Sequence, residues 1–219
     1  MAQEMDGLGI RNKGDNGSES ISPSVVYLEV CENYQKQSYR NRCHFCGSEG
    51  VQTLSIPIVH ECGTYQLPID KIKIDYSTPW VQQHKRAIVS AYRTSAYFEY
   101  YQDELFEILD SGACTLFELN LRLIKFFIAK TGLHIDLRLT EDFVVPVRDA
   151  LGKPAANVYG EDLRETIHPK RPNSILENLQ LNKPYFQVFA QKYGFKSDVS
   201  IMDLLFNEGP DSIIYLKNL

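Results

Sequence analysis

The chain has 219 residues, of which 43% are hydrophobic and 23% are charged, as in an ordinary globular protein with a sizeable core. Its net charge of −5 argues against a nucleic-acid-binding protein, whose surface would be basic. No run approaches the roughly 20 consecutive apolar residues that span a bilayer, so we expect no membrane span.

The two ends of the chain differ in composition. Residues 1–23 consist mainly of Gly, Ser, Asn, Asp and Glu and are expected to be a flexible segment, whereas residues 24–219 are expected to form a single domain. No basic stretch followed by an apolar one marks a secretory signal. Together with five scattered cysteines, this favours reduced thiols and a cytoplasmic location.

The order of the predicted elements indicates an α+β fold. Alternating or β-rich runs predict strands at 25–31, 39–45, 51–59 and 71–76, with a hairpin loop at 47–50 and further short strands at 135–139 and 143–147. Helical spacing predicts helices at 77–95, 97–110, 116–131, 185–193, 200–207 and 210–219. Strands that precede helices predict mainly antiparallel strands and a hairpin, followed by a helical C-terminal part.

Two residue pairs have the chemistry of a zinc site. Cys43 and Cys46, with His60 and Cys62, offer four soft ligands. An odd separation within a strand, however, directs Cys43 and Cys46 to opposite faces unless a turn intervenes. Zinc is therefore disfavoured, and no cofactor is predicted.

Polar candidates for a site are scattered along the chain, and each has an ordinary structural alternative. His84 shares a helix face with Trp80, so it is either a core histidine, the more common case, or a general base. Lys36, Arg40 and Arg42 are either an anion clamp or partners of nearby carboxylates. Asp203, Asn207 and Glu208 flank an apolar helical turn as dipole and cap residues, or as a base or its orienter.

Short strings along most of the chain, taken in order, resemble the WbqC-like protein family, in a form similar to its Bacteroidetes members. They are ENYQKQSYRNRC at 32–43, LSIPI at 54–58, IDY at 74–76, Trp80 with His84, Ala91 with Tyr92, and Ser200 followed by DLLFNEG at 203–209. The closing string is the most specific of them. Residues 1–23 depart from the aromatic, Pro-containing opening of that family.

The resemblance implies a role in surface-polysaccharide (O-antigen) biosynthesis, where an acyl or aminoacyl (glycyl-type) transferase activity on a sugar or nucleotide sugar is expected. Its motif positions are site candidates: Lys36, Asn41, Arg42, Trp80, His84, Asp203, Asn207 and Glu208. The partners would be the sugar or nucleotide-sugar substrate and an acyl donor.

Under the transferase hypothesis, His84 acts as the base and Asp203 or Glu208 orients it. Arg42, Arg40 and Lys36 would hold an anionic donor, Asn41 would polarise the carbonyl group, and Tyr92 is a further candidate for substrate binding. The alternative is a non-catalytic carbohydrate- or anion-binding accessory protein, in which Trp80 and tyrosines stack on the ligand. Under both hypotheses, we expect residues 36–42, His84 and residues 203–208 to surround one common cavity.

Overall fold

The structure is a computed structural model that describes residues 24–60, 66–148, 150, 154–155, 159–164, 167–169 and 175–217. The predicted flexible segment at 1–23 lies outside these residues. Strands concentrate in the N-terminal part and helices in the C-terminal part, which confirms the α+β prediction. The strands are β1 (Ser24–Leu28), β2 (Arg42–Gly47), β3 (Gly50–Ser55), β4 (Ile135–Leu139), β5 (Val147–Arg148) and β6 (Pro154–Ala155). The helices are α1 (Trp80–Tyr92), α2 (Phe98–Leu109), α3 (Leu116–Lys130), α4 (Ile175–Asn178), α5 (Ala190–Tyr193), α6 (Ile201–Glu208) and α7 (Ser212–Leu216).

Two strand pairs differ in direction. β2 and β3 form the predicted antiparallel hairpin, in which Gly47 pairs with Gly50 across a two-residue turn. Gly50 has a φ of +94°, a conformation that favours glycine. β1 instead runs parallel to β4, with Val26 opposite Leu137. Because β1 pairs with a strand more than 100 residues later, local sequence patterns could not predict this pairing.

The polar stretch that precedes β2 is not a strand, although its alternation predicted one from residue 39. It forms turns, with Gln37 at a φ of +56°, and β2 begins only at Arg42. Two backbone hydrogen bonds hold the start of this stretch against residues 67–69: Tyr34 donates to Leu67, and Ile69 donates to Glu32. Lys36 and Gln37 are therefore exposed on a loop that is fixed at its base, whereas Ser38 is buried.

The segment that follows is also less regular than predicted. Instead of a strand at 71–76, a 3₁₀ turn covers Ile69–Lys71, and isolated bridges join Ile74 to Ile58 and Lys73 to Thr115. Residues 72–75 are thus held between two neighbouring segments. This arrangement carries Asp75 to the beginning of α1.

The long helices follow their predicted apolar faces. α1 buries Trp80, His84, Ile88, Ala91 and Tyr92, the set expected from helical spacing. α3 begins after Thr115, whose side chain accepts a hydrogen bond from the amide of Glu118.

α6 lies against this core through Phe206, whose ring centre is 5.2 Å from that of Tyr92. The helix predicted at 185–193 is shorter and begins only at Ala190. Within the described part of the chain, no helix is both long and apolar enough to cross a membrane.

Candidate functional site

A polar cavity lies between the loop before β2, the end of β3 and the first turn of α1. Its volume is about 500 Å³, within the range of roughly 300–1,000 Å³ that is usual for small-molecule sites. The chemically relevant residues around it are Lys36, Asn41, Arg42, His60, Asp75 and Trp80. Four of these residues, namely Lys36, Asn41, Arg42 and Trp80, are candidates from the sequence.

Buried polar atoms without partners concentrate around this cavity. Among the described residues, five side-chain atoms are buried with no hydrogen-bond partner, and three of them are Nε of Arg42, Nε1 of Trp80 and Oδ1 of Asn41. Trp80 is only 2% exposed, so bulk water does not satisfy its N–H group. An unpaired buried group costs about 1–3 kcal/mol. All three atoms belong to residues that line the cavity, so a small movement of these side chains would let a ligand pair with them.

Arg40, just before β2, and Arg42, its first residue, differ in their ion pairs. Arg40 donates from Nε to Oε1 of Glu32 at 2.7 Å and from Nη2 to Oε2 of Glu32 at 2.5 Å, which neutralises its charge in a two-pronged ion pair. No ion pair between described residues involves Arg42. Arg40 is thus the partner of a nearby carboxylate, whereas the charge of Arg42 at the cavity is not compensated by an ion pair with a described residue.

The backbone holds Asn41 in a fixed position. Its side-chain Nδ2 donates to the carbonyl of Ile56 at 3.0 Å, and the amide of Ile56 donates to the carbonyl of Asn41 at 2.8 Å. With Nδ2 engaged in this way, Oδ1 is the part of the amide that is left to accept a hydrogen bond. Asn41 suits recognition of a hydroxyl or N–H group.

His84 lies next to Trp80 but lines a second cavity. The ring centres of the two residues are 5.0 Å apart, and Nε2 of His84 is 3.1 Å from the carbonyl oxygen of Ser55. Since a carbonyl only accepts, this contact assigns the ring proton to Nε2. Burial lowers the pKa of His84, and the bond to Ser55 only partly opposes this effect. His84 is therefore a neutral imidazole near pH 7.

The second cavity is smaller and mainly apolar. Its volume is about 170 Å³, and its walls include His84, Asn41 and Arg42 together with apolar residues from β3, from the position after it and from four helices. Those apolar residues are Leu54, Ile56, Ile88, Leu105, Leu109, Leu123, Phe127 and Met202. Arg40 also lines this apolar cavity.

Asp203 lies in a buried cluster of its own and lines neither cavity. Its Oδ1 accepts from the hydroxyl of Tyr92 at 3.0 Å, and its Oδ2 accepts from Tyr185 and from Nε2 of Gln187, both at 2.8 Å. Burial raises the pKa of Asp203, although these three hydrogen bonds act in the opposite direction. Tyr92 is thus committed to Asp203. The geometry is that of a carboxylate that holds the segment after residue 184 against α1.

The other two candidates on α6 also have local partners. Glu208 accepts a hydrogen bond from the amide of Phe186 at 3.0 Å, and Nδ2 of Asn207 donates to the carbonyl of Asp203 at 2.7 Å. In the described part of the chain, no hydrogen bond or ion pair joins His84 to Asp203 or Glu208. The structure brings the loop residues together with α1, but it does not bring the carboxylates of α6 to the same cavity.

The structure describes three of the four residues that were considered as zinc ligands. Cys43 lines the apolar cavity, where burial raises the pKa of its thiol to about 11, and Cys46 is buried three residues further along β2. His60 lines the polar cavity, and Cys62 lies outside the described residues. No group of three or more potential metal ligands occurs among the residues that the structure describes.

Asp75 and His60 were not assigned to this cavity by the sequence. Asp75 accepts a hydrogen bond from the amide of Ser77 at 2.8 Å, which lowers the pKa of its carboxyl group, and the charge of His60 adds to this effect. The available signal was the position of Asp75 just before α1, in the string Ile-Asp-Tyr. The fold brings Asp75 to this cavity, since its amide donates to the carbonyl of Pro57 and a bridge joins Ile74 to Ile58.

Comparison with known proteins gives a family match that covers the short sequence strings whose residues line the polar cavity. The family model described as "WbqC-like protein family" matches residues 24–215. The chain belongs to the WbqC-like protein family. It is also 28% identical over 211 residues to the uncharacterized protein Rv1507c of Mycobacterium tuberculosis, an alignment that covers 90% of this chain and 88% of that protein. No solved structure matches the chain.

The matched range includes the whole polar cavity and the Asp203 cluster. For this WbqC-like protein, the similarity to the family thus extends over both the polar cavity and the Asp203 cluster. Since the mycobacterial protein is itself described as uncharacterized, it assigns no activity to either of them.

Proposed function

We propose that this WbqC-like protein binds a small anionic compound of the sugar-acid, sugar-phosphate or nucleotide-sugar class in the polar cavity. The observation that carries the proposal is that Arg42 lines the polar cavity and forms no ion pair with any described residue. An unpaired guanidinium group matches a carboxylate or phosphate. Asn41 then accepts from a hydroxyl group, and the indole N–H of Trp80 donates to the anion or to a second hydroxyl group.

Binding is favoured over catalysis by His84 because the groups needed for catalysis do not converge. A general base requires a free nitrogen near the substrate and an orienting partner. His84 lines the apolar cavity rather than the polar one, and Asp203, its expected orienting partner, accepts its hydrogen bonds from Tyr92, Tyr185 and Gln187 instead. The proposal therefore takes up the accessory-protein hypothesis for the polar cavity.

A transferase is the second candidate, and the pair Asp75 and His60 favours it. Both residues line the polar cavity, and Asp75 lies close enough to His60 for their charges to interact. Such a pair supplies a base for a sugar hydroxyl or amine, and Arg42 would hold the acyl or aminoacyl donor. This version retains the expected glycyl-type transfer in surface-polysaccharide biosynthesis but moves the base from His84 to the Asp75 pair.

The proposal includes a cytoplasmic location. Cys31, Cys43, Cys46 and Cys114 are free thiols in the structure, which suits a reducing compartment.

The single tryptophan of the chain makes the proposal directly testable. Trp80 lines the polar cavity, so its fluorescence should report on an occupant. We expect glucuronate, glucose 1-phosphate or UDP-glucose to change the emission in a saturable way. Neutral glucose should bind at least about tenfold more weakly, because a hydrogen bond to a charged group contributes about 1.5–3 kcal/mol.

A matched pair of variants separates the site from general charge effects. Arg42→Gln should weaken binding of the anionic sugar by about tenfold or more. Arg86→Gln removes the same charge from an exposed position on α1 and should leave the affinity unchanged. Equal affinities of wild type and Arg42→Gln for all three anionic probes, or no saturable response to any of them, would refute the proposal.

A further inference from the structure

The apolar cavity adjoins the polar one and has no part in the proposed binding of the sugar. Its volume is about 170 Å³, and leucines of two helices, Leu105, Leu109 and Leu123, supply part of its wall. An apolar cavity of roughly 150 Å³ stays dry and accepts benzene in a well-studied engineered protein. The apolar cavity therefore has room for about six carbon atoms.

The two cavities share one wall. Asn41, Arg42 and Ile56 line both of them, and paired hydrogen bonds between Asn41 and Ile56 fix this wall in place. Nε of Arg42 is buried there without a partner. A polar contact site thus lies at the edge of a hydrocarbon-sized space.

The charges around the apolar cavity define the chemistry of its occupant. Two cationic side chains line it, Arg40 and Arg42, and Glu32 neutralises Arg40. Arg42 has no carboxylate partner among the residues described, and His84 presents a neutral imidazole. One uncompensated positive charge beside apolar walls suits an occupant with one anionic end and one hydrocarbon end.

We infer that the apolar cavity holds the hydrocarbon part of a carboxylic acid with about six carbon atoms, whose carboxylate contacts Arg42. This inference rests on the proposed function, since it uses the same arginine as the anion-binding group. It also deepens that proposal, because a ligand that combines an acyl chain with a polar end would extend across both cavities. The substrate class is then an acyl compound rather than an unsubstituted sugar.

Binding of a series of acids tests this inference by calorimetry. Acetate, butanoate, hexanoate and decanoate present the same charge with increasing chain length. Each buried methylene should tighten binding about fourfold, since its burial contributes about 0.8 kcal/mol. We expect this gain to stop near hexanoate, so decanoate should bind no more tightly. Hexan-1-ol should bind at least about tenfold more weakly than hexanoate, because it lacks the charge.

A cavity-filling variant localises the effect. Leu123→Phe narrows the apolar cavity and should weaken hexanoate binding about tenfold or more, the equivalent of losing two or more buried methylenes, while acetate and glucuronate binding stay unchanged. Ile124→Phe is the control, because Ile124 is the next residue of α3, is similarly half-buried and lines neither cavity. Phe127→Trp serves as a second filling variant if Leu123→Phe does not fold.

The outcomes separate this inference from the proposed function. Hexanoate that binds no better than acetate, or equally well to Leu123→Phe, overturns the inference, and the proposed function stands if glucuronate binding still depends on Arg42. Hexan-1-ol that binds as tightly as hexanoate also overturns it and makes the cavity a general apolar pocket. Loss of the Arg42 dependence for glucuronate overturns both.

Discussion

The rings of Trp80 and His84 pack edge to face, with centres 5.0 Å apart and planes inclined by 69°. Trp80 lines the polar cavity and His84 lines the apolar cavity, so one turn of α1 contacts both. The two residues share a helix face because they are four positions apart. The indole N–H of Trp80 is unpartnered, whereas His84 is bonded to Ser55. This difference makes Trp80, rather than His84, the better site for a first mutation.

Trp80→Phe should weaken glucuronate binding by about tenfold, because the variant retains an aromatic ring but loses the donor on Nε1. Removal of an unpartnered buried N–H offsets part of the packing lost with the smaller ring, so the variant should remain folded. Calorimetry measures the affinity, since the fluorescent reporter is absent. Tyr76→Phe, which removes a hydroxyl bonded to the carbonyl of Ala113, is the control and should bind normally. Unchanged affinity of Trp80→Phe would exclude the indole N–H from ligand binding.

His84 should make the fold sensitive to mild acid. Its pKa in the folded state is depressed by burial below the ordinary value of 6.5, so the unfolded state takes up a proton first as the pH falls. The free energy of unfolding is therefore highest above the ordinary pKa of 6.5 and falls on acidification, which we expect to see between about pH 7 and pH 5. Urea unfolding midpoints at the two pH values measure the effect.

The matched variants for this pH effect are His84→Gln and His134→Gln. The first can keep a donor near Ser55 but does not titrate, so the drop in midpoint should become smaller. The second removes an exposed histidine and should retain the wild-type drop. A drop of wild-type size in His84→Gln would assign the pH sensitivity to another group.

Local patterns in the sequence predicted those parts of the fold that depend on near neighbours. The buried face of α1 follows from helical spacing alone, and the β2–β3 hairpin follows from Gly47 to Gly50. The parallel pair β1–β4 was not predicted, since nothing near Val26 specifies Leu137 as its partner. Alternation at 38–43 was misleading because polar side chains on both faces are as compatible with turns as with a strand.

The candidate residues of the site likewise divide into those that line the polar cavity and those that do not. Resemblance to the family named Lys36, Asn41, Arg42 and Trp80, and these residues line one cavity. It also named Asp203, whose partners come from α1 and from the loop before α5. A buried carboxylate and a catalytic one look alike in sequence, because both are acidic residues at a specific position. The sequence could not indicate that Asp203 contacts Tyr92, Tyr185 and Gln187 and does not line the polar cavity.

Tyr185→Phe should therefore lower the free energy of unfolding by about 1.5–3 kcal/mol, since it removes one of three donors to the buried carboxylate of Asp203. Binding of glucuronate should change less than about twofold, because Asp203 does not line the polar cavity, and a distant substitution that leaves the fold intact changes affinity little. Tyr100→Phe is the control: Tyr100 is 80% exposed, and its loss should change stability by no more than about 0.5 kcal/mol. Normal stability with lost binding in Tyr185→Phe would show instead that the Asp203 cluster belongs to the site.

Gly209, at the end of the Asp-Leu-Leu-Phe-Asn-Glu-Gly string, has a packing role that a second glycine allows us to isolate. Its φ is +54°, and a Cβ atom placed on it would lie 2.5 Å from the ring of Tyr97. Gly112 has a similar φ of +62°, with no atom within 4 Å of such a Cβ. Both Gly→Ala substitutions meet a backbone penalty of at least about 1–2 kcal/mol, which the ψ of −125° at Gly209 raises further, and only Gly209→Ala adds overpacking, which costs about 1–3 kcal/mol.

Chemical denaturation of the two variants measures this difference, and Gly209→Ala should be the less stable by at least about 1–3 kcal/mol. The extra loss arises because the backbone of Tyr97 is fixed by the hydrogen bond from its amide to the carbonyl of Phe206 at 3.0 Å, so the ring can give way only by changing its side-chain torsions. Equal losses in the two variants would mean that Tyr97 moves aside freely. The final glycine of the string would then be needed only for its backbone conformation.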